Sequence, residues 1–276
     1  MTWPRSKPGR GPNIRRTPCE PGYPPRLMAL LTIVTGSSKG LGEALAKALR
    51  QPDDTVVGIA RGRSSALDVP IPGVQVEQWS LDLADAPAAA EKLAAWLAAQ
   101  DPKRYTISTL INNAGVIPQL GPLDDNDAAA LSRALRVGLE AAMLLTAVFL
   151  RDTRRWWGQR RVLNVSSGLG RRAMAGSAPY CAAKAGLDHF SRAVALDEEH
   201  LHNPARIASV APGIIDTDMQ AQLRAADPSR FPEHANFVHW KTAGLLDTPD
   251  AAAAKLLDFL ARSDFGSNPV TDVRNA

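Results

Sequence analysis

The sequence predicts a single doubly wound α/β domain with a mostly parallel, seven-stranded sheet. From Met28 onward, short β-rich segments alternate with helical segments, an order that forms βαβ units and a parallel sheet covered on both faces. Clusters of glycine, asparagine and serine fall where predicted strands end, at the edge where such sheets bind ligands. Neither an internal repeat nor a linker interrupts this part of the sequence, so residues 28–276 are predicted to form one domain.

The predicted strands are short runs rich in β-branched residues. The first, Leu30–Thr35, is almost wholly apolar and leads into a glycine loop, as a buried parallel strand should. The fourth ends at an Asn-Asn-Ala-Gly turn, and the sixth is stopped by Pro212-Gly213. In chain order, the predicted strands are Leu30–Thr35, Thr55–Ala60, Val74–Trp79, Ile107–Ile111, Arg161–Val165, Arg206–Val210 and Asn268–Val273.

The predicted helices occupy the segments between these strands. Ala86–Ala99 is rich in alanine, the best helix former, and Asp127–Leu150 is long and largely apolar. The predicted helices are Leu41–Arg50, Ala86–Ala99, Asp127–Leu150, Pro179–His200 and Pro249–Ala261.

The basic charge of the chain is concentrated in residues 1–27. That segment has six basic side chains against Glu20 alone, a net +5, whereas the whole chain carries +4, so the remainder sums to −1. Its many prolines and its lack of apolar periodicity predict a disordered N-terminal extension. Because the rest of the chain is nearly neutral, nucleic acid is not an expected partner.

Composition disfavours several other classes of protein. No apolar run approaches the ~20 residues needed to cross a membrane, so no membrane partner is expected. The two cysteines, Cys19 and Cys181, lack CxxC spacing, and the five histidines show no metal-ligand pattern. We therefore expect no bound metal, and a location in the reducing cytoplasm.

The loop after the first predicted strand suits the phosphates of a dinucleotide. Gly36 permits a tight turn, Gly40 lets the backbone approach a pyrophosphate, and Gly42 lets the next helix pack closely. The helix N-terminus adds N–H groups and the positive end of the helix dipole. The spacing G-x-x-x-G-x-G differs from the usual G-x-G-x-x-G, so the prediction depends on the flanking strand and helix.

The end of the second predicted strand indicates which dinucleotide binds. NAD enzymes usually place a carboxylate there, about twenty residues past the loop, to bind the ribose 2′-hydroxyl. Here Ala60 is apolar and Arg61 is basic, and Lys39 adds a second cation. Both cations would attract a 2′-phosphate, which predicts NADP(H); the alternative is two solvated surface cations. Asp82 is predicted either to accept from the adenine amino group or to act as a turn carboxylate.

Tyr180 and Lys184 form a candidate acid–base pair. They are four residues apart on one predicted helix and therefore share a face. A nearby ammonium is expected to lower the tyrosine pKa from ~10, so that Tyr180 could protonate a carbonyl oxygen during hydride transfer. Ser167 could donate a hydrogen bond to the same oxygen. A YxxxK pair alone would more often be a surface pair, and only the other motifs make this reading strong.

Several of these motifs recur together at one family's spacing: Thr35–Gly42, Asn112–Gly115, Ser167, Tyr180 with Lys184, and Pro212-Gly213 with Thr217. Together they resemble the short-chain dehydrogenases/reductases over essentially the whole chain from Met28. The resemblance implies a Rossmann-type fold, hydride transfer from a nicotinamide, and a small-molecule carbonyl substrate. It implies catalytic roles for Ser167, Tyr180 and Lys184. The expected cofactor-binding residues are Gly36, Ser38, Lys39, Gly40, Leu41, Gly42, Arg61, Asp82, Leu83, Asn113, Ala114, Gly115, Tyr180, Lys184, Pro212, Gly213, Ile215 and Thr217.

Two segments, Tyr180–Phe190 and Pro212–Gln220, look like the sepiapterin reductase and bacterial benzil reductase branch. That resemblance implies reduction of a ketone or diketone, with Ser167, Tyr180 and Asp272 contacting the substrate. Asp272 would anchor it, or would be an ordinary polar residue near a strand end. Met219–Leu246 is expected to form a mobile lid, whose three aromatic residues could stack on a substrate or form the lid core: Phe231, Phe237 and Trp240.

One position departs from the family pattern. Gly138 stands where the family usually has an asparagine that kinks the long helix and helps hold a water leading to the lysine. Two alternatives therefore stay open beside the carbonyl reductase: a 3-oxoacyl reductase or alcohol dehydrogenase of the same family, and a non-catalytic NADP-binding sensor. The resemblance also implies a homodimer or homotetramer formed through Asp127–Leu150 and Pro179–His200.

Overall fold

The computed structural model describes residues 29–275, and the predicted N-terminal extension, residues 1–27, lies outside this range. Seven parallel strands form one sheet in the order β3-β2-β1-β4-β5-β6-β7, which confirms the predicted doubly wound α/β fold. The strands are β1 (Ala29–Thr35), β2 (Thr55–Ala60), β3 (Gln75–Ser80), β4 (Tyr105–Asn112), β5 (Gln159–Val165), β6 (Arg206–Ala211) and β7 (Val270–Asp272).

Within this range, nine α-helices connect or flank the strands. They are α1 (Gly40–Ala48), α2 (Ser65–Asp68), α3 (Ala86–Ala98), α4 (Ala128–Leu135), α5 (Ala141–Thr153), α6 (Ala178–Glu199), α7 (Asp218–Arg224), α8 (His234–Thr242) and α9 (Pro249–Ala261). No helix of the described part combines the length and the apolar character that crossing a membrane requires.

Helices cover both faces of the sheet, so the central strands are buried on both sides, whereas three of the six residues of the edge strand β3 are exposed. On one face α1 and α9 pack on a core that includes Leu45 and Leu256. On the other face α3, α5 and α6 pack on a core that includes Leu93 and Phe149. Such two-sided burial explains why β1 and β2 are almost continuous apolar runs, whereas the edge strand β3 alternates between polar and apolar residues.

The chain reverses its direction of travel across the sheet beside β1. From β1 it moves outward to β2 and β3, and then returns to place β4 on the other side of β1. Loops that leave β1 and β4 therefore diverge, which opens a crevice beyond the carboxyl ends of these strands. This crevice is where the motifs found in the sequence should meet.

The structure departs from the predicted elements in several places. The long predicted helix Asp127–Leu150 is divided by one turn of π-helix, Arg136–Glu140, which widens the helix around Gly138. Three short helices, α2, α7 and α8, were not predicted; α2 has only four residues and no readable periodicity, and α7 and α8 fall in the segment predicted only as a lid. The last strand, predicted as Asn268–Val273, is limited to the residues that pair with β6.

Candidate active site

A cleft of about 1230 Å³ lies beyond the carboxyl ends of the central strands. Every site residue predicted from the sequence lines it, from Gly36 in the glycine loop to Asp272 in the last strand. The structure therefore brings together residues that are more than 200 positions apart in the chain.

The glycine loop forms a cradle without side chains at the start of α1. Gly36 and Gly40 have positive φ angles of 70° and 59°, which side chains disfavour. A Cβ at Gly42 would lie 2.2 Å from the carbonyl oxygen of Gly36, so only glycine lets α1 approach the loop. No side chain caps α1, so its first N–H groups, which form the positive end of the helix dipole, have no capping oxygen. This geometry fits a pyrophosphate.

Thr35 fixes the loop after β4 to the end of β1. Its Oγ1 accepts hydrogen bonds from the backbone N–H groups of Asn113, at 2.9 Å, and Ala114, at 3.0 Å. The Asn113 side chain in turn donates to the Thr35 carbonyl at 3.0 Å. Thr35 was not among the predicted binding residues, although its position directly before Gly36 could have pointed to such a bridge.

Two cations at the β2 end of the cleft have different surroundings. Arg61 follows β2 and lines the cleft, with no carboxylate of the described residues within ion-pair distance. Lys39 instead pairs with Asp218, the first residue of α7, at 2.6 Å. Both side chains of that pair are more than 70% exposed, so the pair contributes little energy and opens readily.

Asp82 is held in place before any ligand binds. It accepts from the Ala84 N–H at 3.0 Å and pairs with Arg133 of α4 at 2.9 Å. The Ala84 hydrogen bond, followed by Arg133, lowers the pKa of Asp82 below its usual range. The carboxylate is therefore ionised and oriented towards the cleft by a partner 51 residues away, which sequence reasoning missed.

Ser167 and Tyr180 meet where β5 ends and α6 begins. The Ser167 Oγ accepts from the Leu169 N–H at 3.2 Å, within a 3-10 turn over Gly168–Gly170, so its hydroxyl proton stays available for donation. Burial raises the pKa of Tyr180 to about 12, while a hydrogen bond with Ser167 acts in the opposite direction. The expected net lowering of the pKa of Tyr180 is therefore wrong for this structure, because burial outweighs the effect expected of a nearby ammonium.

Lys184 is buried one helical turn after Tyr180. Its Nζ donates to the Val165 carbonyl at 2.7 Å and lies 5.7 Å from the centre of the Tyr180 ring. Burial lowers the pKa of Lys184 to about 8, and the carboxylate of Asp188 counteracts part of this effect. Asp188 is itself buried and accepts from Ser209 Oγ at 2.6 Å. The ammonium is therefore fixed beside the tyrosine and titrates near neutral pH.

The π-turn brings Gly138 against α6. A Cβ at Gly138 would lie 3.2 Å from the Cβ of Ala183, the residue before Lys184, so a larger side chain here would press on α6. The neighbouring Asn112 donates to Thr146 and Asn164 at 3.0 and 2.8 Å, which ties β4 to α5 and β5. The long helix thus contains a π-turn at the position of Gly138.

The other end of the cleft is covered by α7 and α8, within the predicted lid Met219–Leu246. Phe237 and Trp240 line the cleft, with ring centres 4.8 Å apart. Phe231 is fully buried behind them, so it belongs to the lid core. Asp272 also lines the cleft, and Arg274 donates to its two carboxylate oxygens at 2.8 and 2.7 Å, which lowers the pKa of Asp272.

The comparisons with known proteins agree with this geometry. A family model described as short chain dehydrogenase matches residues 31–228. The chain is 31% identical over 245 residues to a benzil reductase ((S)-benzoin forming) of Bacillus cereus, covering 86% of this chain and 96% of that protein. It is 30% identical over 260 residues to the sepiapterin reductase of Rattus norvegicus, covering 90% and 97%.

A solved structure shows the same relationship. The crystal structure of a short-chain dehydrogenase/reductase from Burkholderia vietnamiensis superposes with a TM-score of 0.58 at 36% sequence identity, covering 91% of this chain and 98% of the other. The family model, the relatives and the structure agree with the motifs gathered in the cleft. This chain therefore belongs to the short-chain dehydrogenase family and is an oxidoreductase similar to benzil and sepiapterin reductases.

Proposed function

We propose that this protein uses NADPH to reduce the carbonyl group of a ketone or diketone to an alcohol. The observation that supports the reaction most directly is the grouping of the partly buried Ser167 with the buried Tyr180 and Lys184 in a cleft that begins with the glycine cradle. The names of its relatives support the carbonyl class, since benzil is a diketone and sepiapterin carries a ketone on its side chain.

The three side chains have complementary tasks around one carbonyl oxygen. When bound, NADPH supplies the hydride that reaches the carbonyl carbon. Tyr180 donates its phenolic proton to the oxygen, and Ser167 donates a hydrogen bond to the same atom. Lys184 stabilises the phenolate that develops on Tyr180, because its ammonium lies 5.7 Å from the ring centre.

The pKa values favour reduction at neutral pH. A proton donor must hold its proton until hydride arrives, and burial raises the pKa of Tyr180 to about 12. Lys184, with a pKa lowered to about 8, is mainly the ammonium below that pH and loses its charge above it. Reduction therefore has its full electrostatic support on the acid side of pH 8.

NADPH preference is proposed from Arg61, which is left without a carboxylate partner among the described residues. We expect Arg61→Ala to raise the KM for NADPH about tenfold or more, because a charge-assisted hydrogen bond to the 2′-phosphate is lost. The KM for NADH, which has no 2′-phosphate, should change little. Lys39→Ala should have the smaller effect, since Lys39 is shared with Asp218. Steady-state kinetics with both cofactors measure these changes.

Arg63 offers a matched control for that experiment. It lies two residues from Arg61, is exposed, and pairs with Asp68 away from the cleft. Arg63→Ala should therefore leave the ratio of kcat/KM values for NADPH and NADH unchanged. An Arg61→Ala protein with the wild-type ratio would contradict the assignment of NADPH.

A small set of carbonyl compounds tests the reaction itself. NADPH oxidation should be followed with benzil, 1-phenyl-1,2-propanedione, sepiapterin and a 3-oxoacyl thioester. Turnover of a diketone or sepiapterin would support the proposal, and turnover of the thioester alone would favour the 3-oxoacyl reductase. Binding of NADPH without any turnover would favour the sensor and oppose the proposed reaction.

We also propose that the protein is a cytoplasmic homodimer or homotetramer that associates through α4, α5 and α6. Leu135, Met143 and Leu196 on these helices are 43%, 41% and 64% exposed, which is unusual for large apolar side chains on neighbouring elements. Its sparse cysteines, without CxxC spacing, suit a reducing compartment.

A further inference from the structure

The charged side chains that line the cleft are almost all paired. Among the described residues, each carboxylate in the lining has a cationic partner within 4 Å: Asp82 with Arg133, Asp216 with Arg224, Asp218 with Lys39, and Asp272 with Arg274. Besides the buried Lys184, two cations in the lining have no carboxylate of residues 29–275 within 4 Å, Arg61 and Arg172. Arg61 has a proposed ligand in the 2′-phosphate, whereas Arg172 has none.

Arg172 and Arg61 follow strands on opposite sides of β1 and β4. Arg61 follows β2 and Arg172 follows β5, with β1 and β4 between them, so the two strand ends are about 14 Å apart at ordinary strand spacing. A cofactor whose adenosine lies by Arg61 would direct its reactive end towards Ser167 and Tyr180. Arg172, five residues after Ser167, is therefore at the substrate end.

The backbone holds Arg172 in this position without using its side chain. Its N–H donates to the Gly168 carbonyl at 3.0 Å, which closes the turn that follows Ser167. The preceding residue, Arg171, is not part of the cleft lining and lies 3.9 Å from the buried carboxylate of Asp188. Arg172 is exposed and lies in the same cleft lining as the lid aromatics Phe237 and Trp240.

We propose that Arg172 binds an oxyanionic group of the substrate, so that this enzyme prefers a carbonyl compound that carries a carboxylate or a phosphate. This inference rests on the proposed reduction and names its substrate class. A guanidinium offers two parallel N–H donors that match an oxyanion. The aromatic pair would contact the apolar part of such a molecule, and Asp272 would repel it weakly because Arg274 already neutralises that carboxylate.

A matched pair of substrates isolates the charge. Phenylglyoxylate and its methyl ester share a ring and a ketone and differ in the negative charge. We expect Arg172→Gln to raise the KM for the acid at least about tenfold and to change the KM for the ester less than about twofold. Arg172→Lys should recover part of the loss. Added salt should raise the KM for the acid in the wild type and not in Arg172→Gln.

Arg155→Gln is the matched control. Arg155 is an exposed arginine that precedes β5, near the amino-terminal ends of the strands, whereas the cleft lies beyond their carboxyl ends. This variant should behave like the wild type with both compounds. Benzoylphosphonate distinguishes the anion: a loss limited to phenylglyoxylate assigns a carboxylate, and an equal loss assigns any oxyanion. Equal effects of Arg172→Gln on acid and ester, or no effect on either, would overturn the proposal.

Calorimetric binding of phenylglyoxylate to the protein saturated with NADP⁺ separates the two proposals. If the wild type binds the acid at least about tenfold more tightly than Arg172→Gln but turns over no carbonyl, the anion site stands and the proposed reduction fails. If carbonyls are reduced but both proteins bind the acid equally, the reduction stands and the anion site fails.

Discussion

Tyr180→Phe should lower kcat for carbonyl reduction by about 10²–10⁴-fold, the usual contribution of a positioned general acid. The substitution removes one oxygen from a buried ring and leaves the ring in place, so the cleft keeps its shape. NADPH binding, followed by fluorescence titration, should stay within about twofold of the wild type, because the glycine cradle and Arg61 are unchanged. The separation between lost turnover and retained binding is the expected signature of a proton donor.

Tyr105→Phe provides the matched control. Tyr105 is also buried, and its hydroxyl forms hydrogen bonds with Thr55 and Gln100. It lies at the start of β4, at the end of the strand far from the cleft. Loss of its hydroxyl should cost about 1 kcal/mol of stability and leave kcat unchanged. If Tyr180→Phe retained more than about a tenth of the wild-type kcat, another group would have to be the proton donor.

The fold could be predicted because its signals are local. Most strands are short runs rich in β-branched residues and bounded by loop residues, and the major helices are longer runs of helix-forming residues, so the order of elements follows from short windows of sequence. The parallel direction of the strands then follows from the alternation, since parallel strands require crossover connections, whereas the order of the strands in the sheet does not. The glycine loop and the Tyr180–Lys184 pair are also local, and the rule that ligands bind at strand ends places them together.

The rest depends on contacts between distant residues. The pairs Arg133–Asp82 and Lys39–Asp218 join residues 51 and 179 positions apart, and no short pattern marks them. These ion pairs determine which cations in the cleft are already neutralised and which can bind a ligand without breaking an ion pair. Arg171 and Arg172 give a second example. The sequence does not distinguish these two neighbouring arginines, but in the structure Arg171 lies near Asp188 whereas Arg172 lines the cleft.

The environment of Tyr180 is a further property that spacing could not predict. A lysine four residues away suggests a lowered tyrosine pKa, yet the sequence does not reveal how completely α6, β5 and the turn after Ser167 exclude water. Burial penalises the phenolate and the ammonium alike, so it raises the pKa of Tyr180 and lowers that of Lys184. Both shifts come from the packed fold and not from the motif.

Gly42→Ala should have the largest effect on the cofactor site. The new Cβ would lie 2.2 Å from the Gly36 carbonyl oxygen and 2.5 Å from the Asn113 amide nitrogen, so α1 or the loop must move. We expect a loss of about 3 kcal/mol in the free energy of unfolding, the upper part of the range for overpacking, and a melting temperature roughly 6–12 °C lower. NADPH affinity should fall about tenfold or more, because the cradle and the start of α1 no longer align.

Gly168→Ala shows why the position matters more than the added methyl group. A Cβ at Gly168 would meet no atom within 4 Å, and the φ angle there is not positive, so its melting temperature should match the wild type. The contrast between two alanines, one against a backbone carbonyl and one in open space, attributes the loss to the close approach of α1 and the loop. A Gly42→Ala protein that melts and binds NADPH like the wild type would mean that the loop has room to rearrange, and that its shape does not determine cofactor binding.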